Sequence, residues 1–219
     1  MEVRGKKVIF LGDSITQGVG ASTKENRYTD VFSRNTGAIQ CNYGVSGSRI
    51  AKQKNVYFKK NPAAERHFVL RVDDINETDP DLIVVFGGTN DFGHGDAPLG
   101  DFADRDENSF YGALHALINK LVNKFPYSRI MFMTPLHRTG EDRKNNENRE
   151  EYYSLKQFVD AIREVCEFYS VPLLDLYKNS GIQPAIQIQK EIYIPDGLHP
   201  SDKGAERIAQ LLEGFVKTL

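Results

Sequence analysis

Three polar residues near the two ends of the chain have the side chains that nucleophilic catalysis requires. Ser14 follows an apolar run and Gly12, while Asp196 and His199 lie three residues apart near the other end. A serine hydroxyl is a poor nucleophile until a neutral imidazole takes its proton, and a carboxylate beside that imidazole fixes its tautomer. The pattern predicts a serine hydrolase in which Asp196 orients His199 and His199 activates Ser14.

Each of these residues also has a structural interpretation. Serine is a preferred N-cap residue, so Ser14 can simply cap a helix that begins near Ile15. A single histidine is more often structural than catalytic, and Asp196-Gly197 is a common turn dipeptide. The catalytic interpretation therefore depends on further groups that such a site needs.

Two residues after other apolar runs can supply hydrogen-bond donors to a developing oxyanion. Gly44 has no side chain, so an acyl oxygen can approach its backbone N–H closely. The side-chain amide of Asn90 can point at the same oxygen. A tight turn that uses glycine also explains Gly44, and a turn or capping role also explains Asn90.

Five apolar runs predict the strands that would position these residues. The runs are Val8–Leu11, Ala38–Tyr43, Leu82–Phe86, Ile130–Thr134 and Val171–Leu176. Their nearly continuous apolarity is typical of strands that are covered on both faces, as in a parallel sheet. Helical spacing between them predicts helices over Phe110–Phe125 and Tyr152–Tyr169, and a last helix from the N-cap Ser201 to Phe215.

Strands that alternate with helices predict a three-layer α/β fold with right-handed crossovers. The length of 219 residues fits one domain over residues 1–219. In such sheets ligands bind at the carboxyl ends of the strands. Because Ser14, Gly44 and Asn90 all follow strand ends, we expect them to share one edge of the sheet.

The composition excludes several classes of function. The net charge is −2, so there is no basic excess with which to bind nucleic acid or an anionic membrane. No run reaches the ~18 apolar residues that span a bilayer, and no secretory signal is visible, so we expect a cytoplasmic protein. Phosphate-loop and dinucleotide glycine motifs are missing from the sequence. We expect a small-molecule ester substrate without a cofactor or metal, and the oligomeric state stays open.

The remaining histidines and cysteines have mainly structural interpretations. Cys41 and Cys166 lack metal-site spacing and are expected to be buried free thiols. His115 lies within an amphipathic helical pattern, which indicates a structural residue. His94 lies in a glycine-rich loop just after Asn90, so it is a candidate for contact with the substrate.

Four separated segments resemble the sequence blocks of the SGNH hydrolases, also called the GDSL lipase/esterase family. They are Gly12-Asp13-Ser14, Gly44 within Asn42–Gly47, Gly87–Asp91 and Asp196–His199. The resemblance implies a flavodoxin-like α/β/α fold with a five-stranded parallel sheet. It also implies Ser14 as nucleophile and His199 as base, with Asp196 orienting His199. The implied oxyanion donors are the backbone N–H groups of Ser14 and Gly44 and the side chain of Asn90.

Two residues beside Ser14 belong to the same nucleophile block. Asp13 is shared with the family motif and is expected to hold the turn, with contact to the substrate as a second candidate role. Ile15 stands where the family's older name has leucine. This apolar replacement leaves the chemistry untouched but weakens the case for a true lipase.

The expected reaction is ester hydrolysis through an acyl-enzyme. The loops expected at the rim, Arg49–Lys60, Phe92–Glu107 and Leu136–Glu151, are polar, with aromatic residues at Tyr57, Phe58, Phe92 and Phe102. Leu136–Glu151 is expected to be a mobile surface loop. A long acyl chain would need a broad apolar groove, so the sequence favours a short acyl group, such as acetyl, on a polar or sugar-like alcohol. The alternatives are a lysophospholipase or thioesterase and, in a different class, a non-catalytic ligand-binding α/β module.

Overall fold

A computed structural model describes residues 1–55, 62–143 and 151–219. Within these ranges the chain forms one five-stranded parallel sheet. The strands are β1 (Lys7–Gly12), β2 (Ile39–Gly44), β3 (Leu82–Phe86), β4 (Arg129–Met133) and β5 (Leu173–Leu174), in the order β2-β1-β3-β4-β5. The predicted α/β fold and its five-stranded parallel sheet are confirmed.

The helices lie on both sides of this sheet. They are α1 (Ser14–Gln17), α2 (Tyr28–Thr36), α3 (Pro62–Glu65), α4 (Phe68–Arg71), α5 (Thr89–His94), α6 (Phe110–Lys124), α7 (Leu155–Phe168), α8 (Leu176–Asn179), α9 (Gln187–Tyr193) and α10 (Asp202–Val216), with 3-10 turns at Lys24–Asn26 and Val72–Asp74. The predicted α6 and α10 are confirmed, and Ser201 caps α10 by accepting from the N–H of Gly204. Helix α7 begins at Leu155 rather than Tyr152, because Ser154 and Gln157 form a capping box. In the described part of the chain, every helix is too short or too polar to cross a membrane.

Two hydrophobic cores fill the spaces between the sheet and the helices. Along β1 the side chains alternate, so Ile9 and Leu11 join one core while Val8 and Phe10 join the other. One core contains the apolar faces of α6 and α7, and the other contains those of α2 and α10. This arrangement gives the three layers that the alternating pattern predicted.

The two outer strands differ from the prediction. Strand β2 has a neighbour on one side only, so Ile39 is 53% exposed and the rest of the strand is half-buried. Cys41 is therefore half-buried rather than buried, while Cys166 is buried as expected; both are free thiols. Strand β5 covers only two residues of the predicted Val171–Leu176, because the side chain of Asp175 caps α8.

His115 lies inside the protein, as its helical pattern indicated. The residue is fully buried, with Nδ1 3.0 Å from the hydroxyl of Tyr169 and Nε2 3.1 Å from the carbonyl oxygen of Phe102. Both ring nitrogens therefore have partners in the packing of α6, which makes His115 a structural residue.

The sheet register brings the candidate site together. Gly12 at the end of β1 pairs with Gly44 of β2 on one side and with Phe86 of β3 on the other. The carboxyl ends of three neighbouring strands therefore coincide. The residues that follow them, including Ser14 and Asn90, emerge at one edge of the sheet.

Candidate active site

Ser14 is the first residue of α1, directly after the end of β1. Asp13 is the N-cap, since its Oδ1 accepts from the backbone N–H of Ile15 at 3.0 Å. The structural interpretation of Ser14 as the N-cap is therefore wrong, and its hydroxyl is available for another partner. Ser14 is 3% exposed. Its backbone N–H begins the helix, has no hydrogen-bond partner among the described residues, and carries part of the positive end of the helix dipole.

The partner of the Ser14 hydroxyl is the imidazole of His199. Nε2 of His199 lies 3.0 Å from Oγ of Ser14, although the two residues are 185 positions apart. Nδ1 of His199 lies 2.6 Å from Oδ2 of Asp196. The geometry forms a continuous path from hydroxyl to imidazole to carboxylate, as nucleophile activation requires.

The backbone around Asp196 holds this carboxylate in place. Oδ1 accepts from the backbone N–H groups of Leu198 at 2.8 Å and of His199 at 2.7 Å. Burial raises the pKa of Asp196, but these hydrogen bonds and the contact with the His199 ring outweigh it, so the net pKa lies below its usual value. An ionised Asp196 keeps the Nδ1 proton of His199 toward itself, which leaves Nε2 free to accept the proton of Ser14.

Gly44 is explained by packing. A Cβ atom at this position would lie 2.1 Å from the backbone nitrogen of Gln17, so only glycine lets the end of β2 approach α1. The N–H of Gly44 already donates to Oδ1 of Asn42 at 2.8 Å. Its role as an oxyanion donor stays a prediction, and it requires this hydrogen bond to break.

Gly47 lies three residues after Gly44 and was not among the residues predicted for the site. Gly47 has a φ of +84°, and within the described ranges its N–H has no hydrogen-bond partner. The neighbouring N–H groups are occupied: Ser46 donates to Oε1 of Gln17 and Ser48 donates to the carbonyl of Val45. The Ser46-Gly47-Ser48 turn was the only signal in the sequence.

Asn90 lies in the first turn of α5 and is 4% exposed. Its Nδ2 donates one hydrogen to the carbonyl of Ser48 at 3.1 Å, which leaves the second amide hydrogen for a ligand. His94 Nε2 lies 3.2 Å from Oδ1 of Asn90. Because Oδ1 is an acceptor, the His94 ring donates and fixes which way the amide points.

Burial, together with the nearby charges of Arg49 and Arg138, lowers the pKa of His94 to about 4. The ring is therefore neutral at pH 7 and acts as a hydrogen-bond donor to Asn90. Its contact with the substrate stays a prediction. Asp13 is buried in the turn itself, and its contact with the substrate likewise stays a prediction.

A buried arginine, also not predicted from the sequence, connects the strand ends by hydrogen bonds. Nη1 of Arg71 donates to the carbonyl of Gly12 and to Oγ of Ser48, both at 2.8 Å. Nη2 donates to the carbonyl of Tyr43. Burial lowers the pKa of Arg71 to about 10, so the guanidinium is still charged at pH 7. It joins β1, β2 and the Gly47 loop in one network.

The loop after β2 is held over α5 by a carboxylate. Asp91 accepts from the N–H groups of Ile50 and Ala51, both at 2.9 Å. This loop is part of the expected rim segment Arg49–Lys60. Its aromatic residues Tyr57 and Phe58 lie outside the described residues.

The other expected rim aromatics pack inward. Phe92 is 7% exposed and contacts Phe158 edge-to-face, and Phe102 packs on the ring of His115. Neither offers an open aromatic surface to a ligand. Leu136 is buried in the core, so the expected surface loop Leu136–Glu151 begins inside the protein; residues 144–150 of that loop lie outside the described residues.

No group of three or more histidine, cysteine or acidic side chains in the described ranges is arranged to hold a metal ion. The groups that the site brings together are a hydroxyl, an imidazole and a carboxylate in line, beside N–H donors from several strand ends. Such an arrangement suits attack on a carbonyl carbon.

Comparison with known proteins agrees with this class of site. The model of the GDSL-like lipase/acylhydrolase family matches residues 10–207. The chain therefore belongs to the GDSL-like lipase/acylhydrolase family, and it is a hydrolase of the class that acts on esters.

Solved structures share the fold over nearly the whole chain. A protein from Lactobacillus plantarum is 32% identical, with 99% of this chain and 98% of that chain covered and a TM-score of 0.82. A possible lipase from Chitinophaga pinensis is 19% identical, with 97% of this chain and 98% of that chain covered and a TM-score of 0.71. An acetyl xylan esterase is 20% identical, with 96% of this chain and 99% of that chain covered and a TM-score of 0.63. A search of curated proteins found no match.

Proposed function

We propose that this protein is a serine esterase that forms an acyl-enzyme on Ser14. The observation that carries the proposal is the connected pair of contacts at His199, 3.0 Å to Oγ of Ser14 and 2.6 Å to Oδ2 of Asp196. A ligand-binding module has no need for a base beside a nucleophile. Family membership supports the same reaction class.

In the proposed reaction, His199 removes the proton from Ser14 as Oγ bonds to the carbonyl carbon. The carbonyl electrons move onto oxygen, and Asp196 stabilises the imidazolium. The tetrahedral intermediate collapses when the bond to the alcohol breaks, and His199 returns the proton to that alcohol. A water molecule then attacks the acyl-enzyme by the same route, which releases the acid and restores Ser14.

The proposed oxyanion hole consists of the N–H of Ser14, the amide of Asn90 and the N–H of Gly47. Gly47 takes the place that the sequence analysis assigned to Gly44, because the Gly44 N–H is engaged with Asn42 while that of Gly47 is unpaired in the described chain. Replacing the peptide N–H of residue 47 with an ester oxygen should lower kcat about 10²–10³-fold. The same replacement at residue 44 serves as the matched control, and a larger loss there would restore Gly44 as the donor.

Covalent labelling tests the nucleophile. A fluorophosphonate probe should label the wild type at Ser14, and Ser14→Ala should abolish labelling and lower kcat by several orders of magnitude with the fold unchanged. Circular dichroism of the variant provides the control for folding. Absence of labelling in the wild type would favour the ligand-binding module, and full turnover in pure Ser14→Ala protein would refute the assignment.

For the substrate, we propose a short acyl group, such as acetyl, on a polar or sugar-like alcohol. The polar character of the expected rim supports this choice, and two proteins with a similar fold are described as an acetyl xylan esterase and as an esterase active on acetylated mannans. The alternative is a lysophospholipase or thioesterase. Comparing para-nitrophenyl acetate with para-nitrophenyl decanoate separates them, since a clear preference for decanoate would overturn the short-chain choice. A single domain, a cytoplasmic location and a lack of nucleic-acid partners also stay predictions.

A further inference from the structure

Arg138 carries a positive charge at the edge of the proposed active site. Its Nη1 donates to the carbonyl oxygen of Thr89 at 3.0 Å and to Oγ1 of Thr89 at 3.1 Å. Thr89 directly precedes Asn90, so the guanidinium lies against the wall that carries the proposed oxyanion donor. Among the ion pairs of the described residues, none involves Arg138.

The chain on either side of Arg138 places it near the other half of the site. The next residue, Thr139, donates its N–H to the carbonyl of Gly197 at 2.8 Å, and Gly197 lies between Asp196 and His199. Burial lowers the pKa of Arg138, whereas the charges of Asp13 and Asp196 raise it. The guanidinium is therefore within electrostatic range of both the nucleophile turn and the acid of the triad.

One edge of this guanidinium is unused. Nε is buried and has no hydrogen-bond partner, and Nη2 donates to no group in the described chain. The N–H groups of Nε and Nη2 point the same way and form the fork that binds a carboxylate with two hydrogen bonds. The ring of Phe92 lies 5.5 Å from the guanidinium carbon and supports its stem.

The contact with Thr89 gives hydrogen-bond partners to Nη1 of Arg138 but not to Nε or Nη2. A buried N–H without a partner destabilises the folded protein, and a carboxylate on this edge would satisfy it and neutralise the charge as well. Arg138 adjoins Asn90 through Thr89 and the Asp196–His199 turn through Thr139, so it borders the space between these groups in which an ester would be held for attack.

We propose that Arg138 binds a carboxylate of the substrate, so that the protein prefers esters that carry a negative charge, such as acetylated alcohols of the sugar-acid type. This inference rests on the proposed esterase function and deepens it. Arginine remains charged throughout the neutral pH range, so the preference should hold wherever the substrate carboxylate is ionised.

The test uses two acetyl esters that differ mainly in charge, para-acetoxybenzoate and para-acetoxybenzamide. The wild type should have a lower KM for the benzoate. Arg138→Gln should raise that KM about ten- to hundredfold and remove most of the preference. Arg129→Gln is the matched control, because it removes the same charge at the amino end of β4, opposite the site, and the preference should survive. Equal KM values in the wild type for this pair and also for the acyl-side pair described below, or an equal loss on charged and uncharged esters in Arg138→Gln, would overturn the proposal.

Arg138→Lys covers the case in which Arg138→Gln does not fold. Lysine keeps the charge and the aliphatic stem over Phe92 but cannot donate two parallel hydrogen bonds to a carboxylate. A reduced preference for the charged ester is therefore expected. A second pair, para-nitrophenyl hydrogen adipate and para-nitrophenyl hexanoate, carries the carboxylate on the acyl side. A preference confined to one pair assigns Arg138 to that side of the ester.

Binding without turnover separates this inference from the proposed function. Calorimetry on the Ser14→Ala variant should show tighter binding of para-hydroxybenzoate than of para-hydroxybenzamide, and the difference should disappear in Ser14→Ala/Arg138→Gln. If the wild type hydrolyses no ester but this difference is present, the esterase proposal fails and the carboxylate site stands. If the esters are hydrolysed without any dependence on Arg138, the esterase proposal stands and the carboxylate site fails.

Discussion

Asp13 is the acidic residue of the site whose ionisation its surroundings change most clearly. Burial raises its pKa to about 6, while the N–H of Ile15 and the charges of His199 and Arg71 oppose the shift. Between the unfolded value of 3.8 and this folded value, the native protein holds a proton that the unfolded chain has lost. The stability of the folded state therefore falls as the pH rises through this range.

Asp13→Asn should remove that dependence, because the asparagine side chain keeps the acceptor that caps α1 and does not ionise. We expect the variant to be more stable than the wild type by up to about 3 kcal/mol near about pH 7.5, and close to the wild type near about pH 4. Urea unfolding of both proteins at several pH values measures the difference. A difference in unfolding free energy that does not change with pH would contradict the buried, partly protonated state of Asp13.

His94 acts through Asn90, which gives a second prediction for individual residues. His94→Leu leaves Oδ1 of Asn90 without a donor, so kcat should fall about tenfold, whereas Asn90→Ala should lower kcat about 10²–10³-fold. In the Asn90→Ala background, the His94 change should have little further effect, because its target has gone. Independent, multiplying losses in this double-mutant cycle would instead indicate that His94 contacts the substrate directly.

Among the secondary-structure elements, the end of β2 and the loop after it depend most on distant groups. Val45 donates to Gly12, Ser46 donates to Gln17, and Ser48 accepts from Arg71. These hydrogen bonds hold the loop on β1 and α1, while the N–H of Gly47 has no partner within the described residues. A preorganised donor of this kind contributes more to catalysis than one that must reorganise during the reaction.

Arg71→Lys tests this network. A lysine ammonium keeps the charge but cannot reach two carbonyls and a hydroxyl in one plane. We expect kcat to fall more than KM rises, with a loss of about 1–3 kcal/mol in unfolding free energy. Arg129→Lys at the amino end of β4 is the control. A loss of stability with kcat unchanged would show that Arg71 supports the fold and not the geometry of the loop.

For the molecule as a whole, the two cores share one sheet, and neighbouring residues of β1 belong to opposite cores. Loss of the sheet would expose both cores together. We expect one cooperative unfolding transition, with far-ultraviolet circular dichroism and tyrosine fluorescence changing at the same denaturant concentration; the chain has no tryptophan. Two separate transitions would contradict a single domain over residues 1–219.

The residue types and their order along the chain were enough to predict most of the fold and the three central residues of the candidate site. Apolar runs and helical spacing locate strands and helices because both periodicities follow from backbone geometry, and strand ends gather at one edge because parallel strands share a direction. The outer strands β2 and β5 were less predictable, since their burial depends on their position in the sheet. The same pattern identified Ser14, Asp196 and His199, whose side-chain chemistry is specific enough to be recognised before the fold is known.

Only the tertiary structure decides which backbone N–H donors of the site are unpaired and which side chains hold its other residues in position. Gly44 and Gly47 are the same residue type three positions apart, and only the contact with Asn42 distinguishes an occupied N–H from an unpaired one. Arg71 and Arg138 take their places from hydrogen bonds to residues far away in the chain. Such partners are set by the packing of several elements at once, and local sequence carries no record of them.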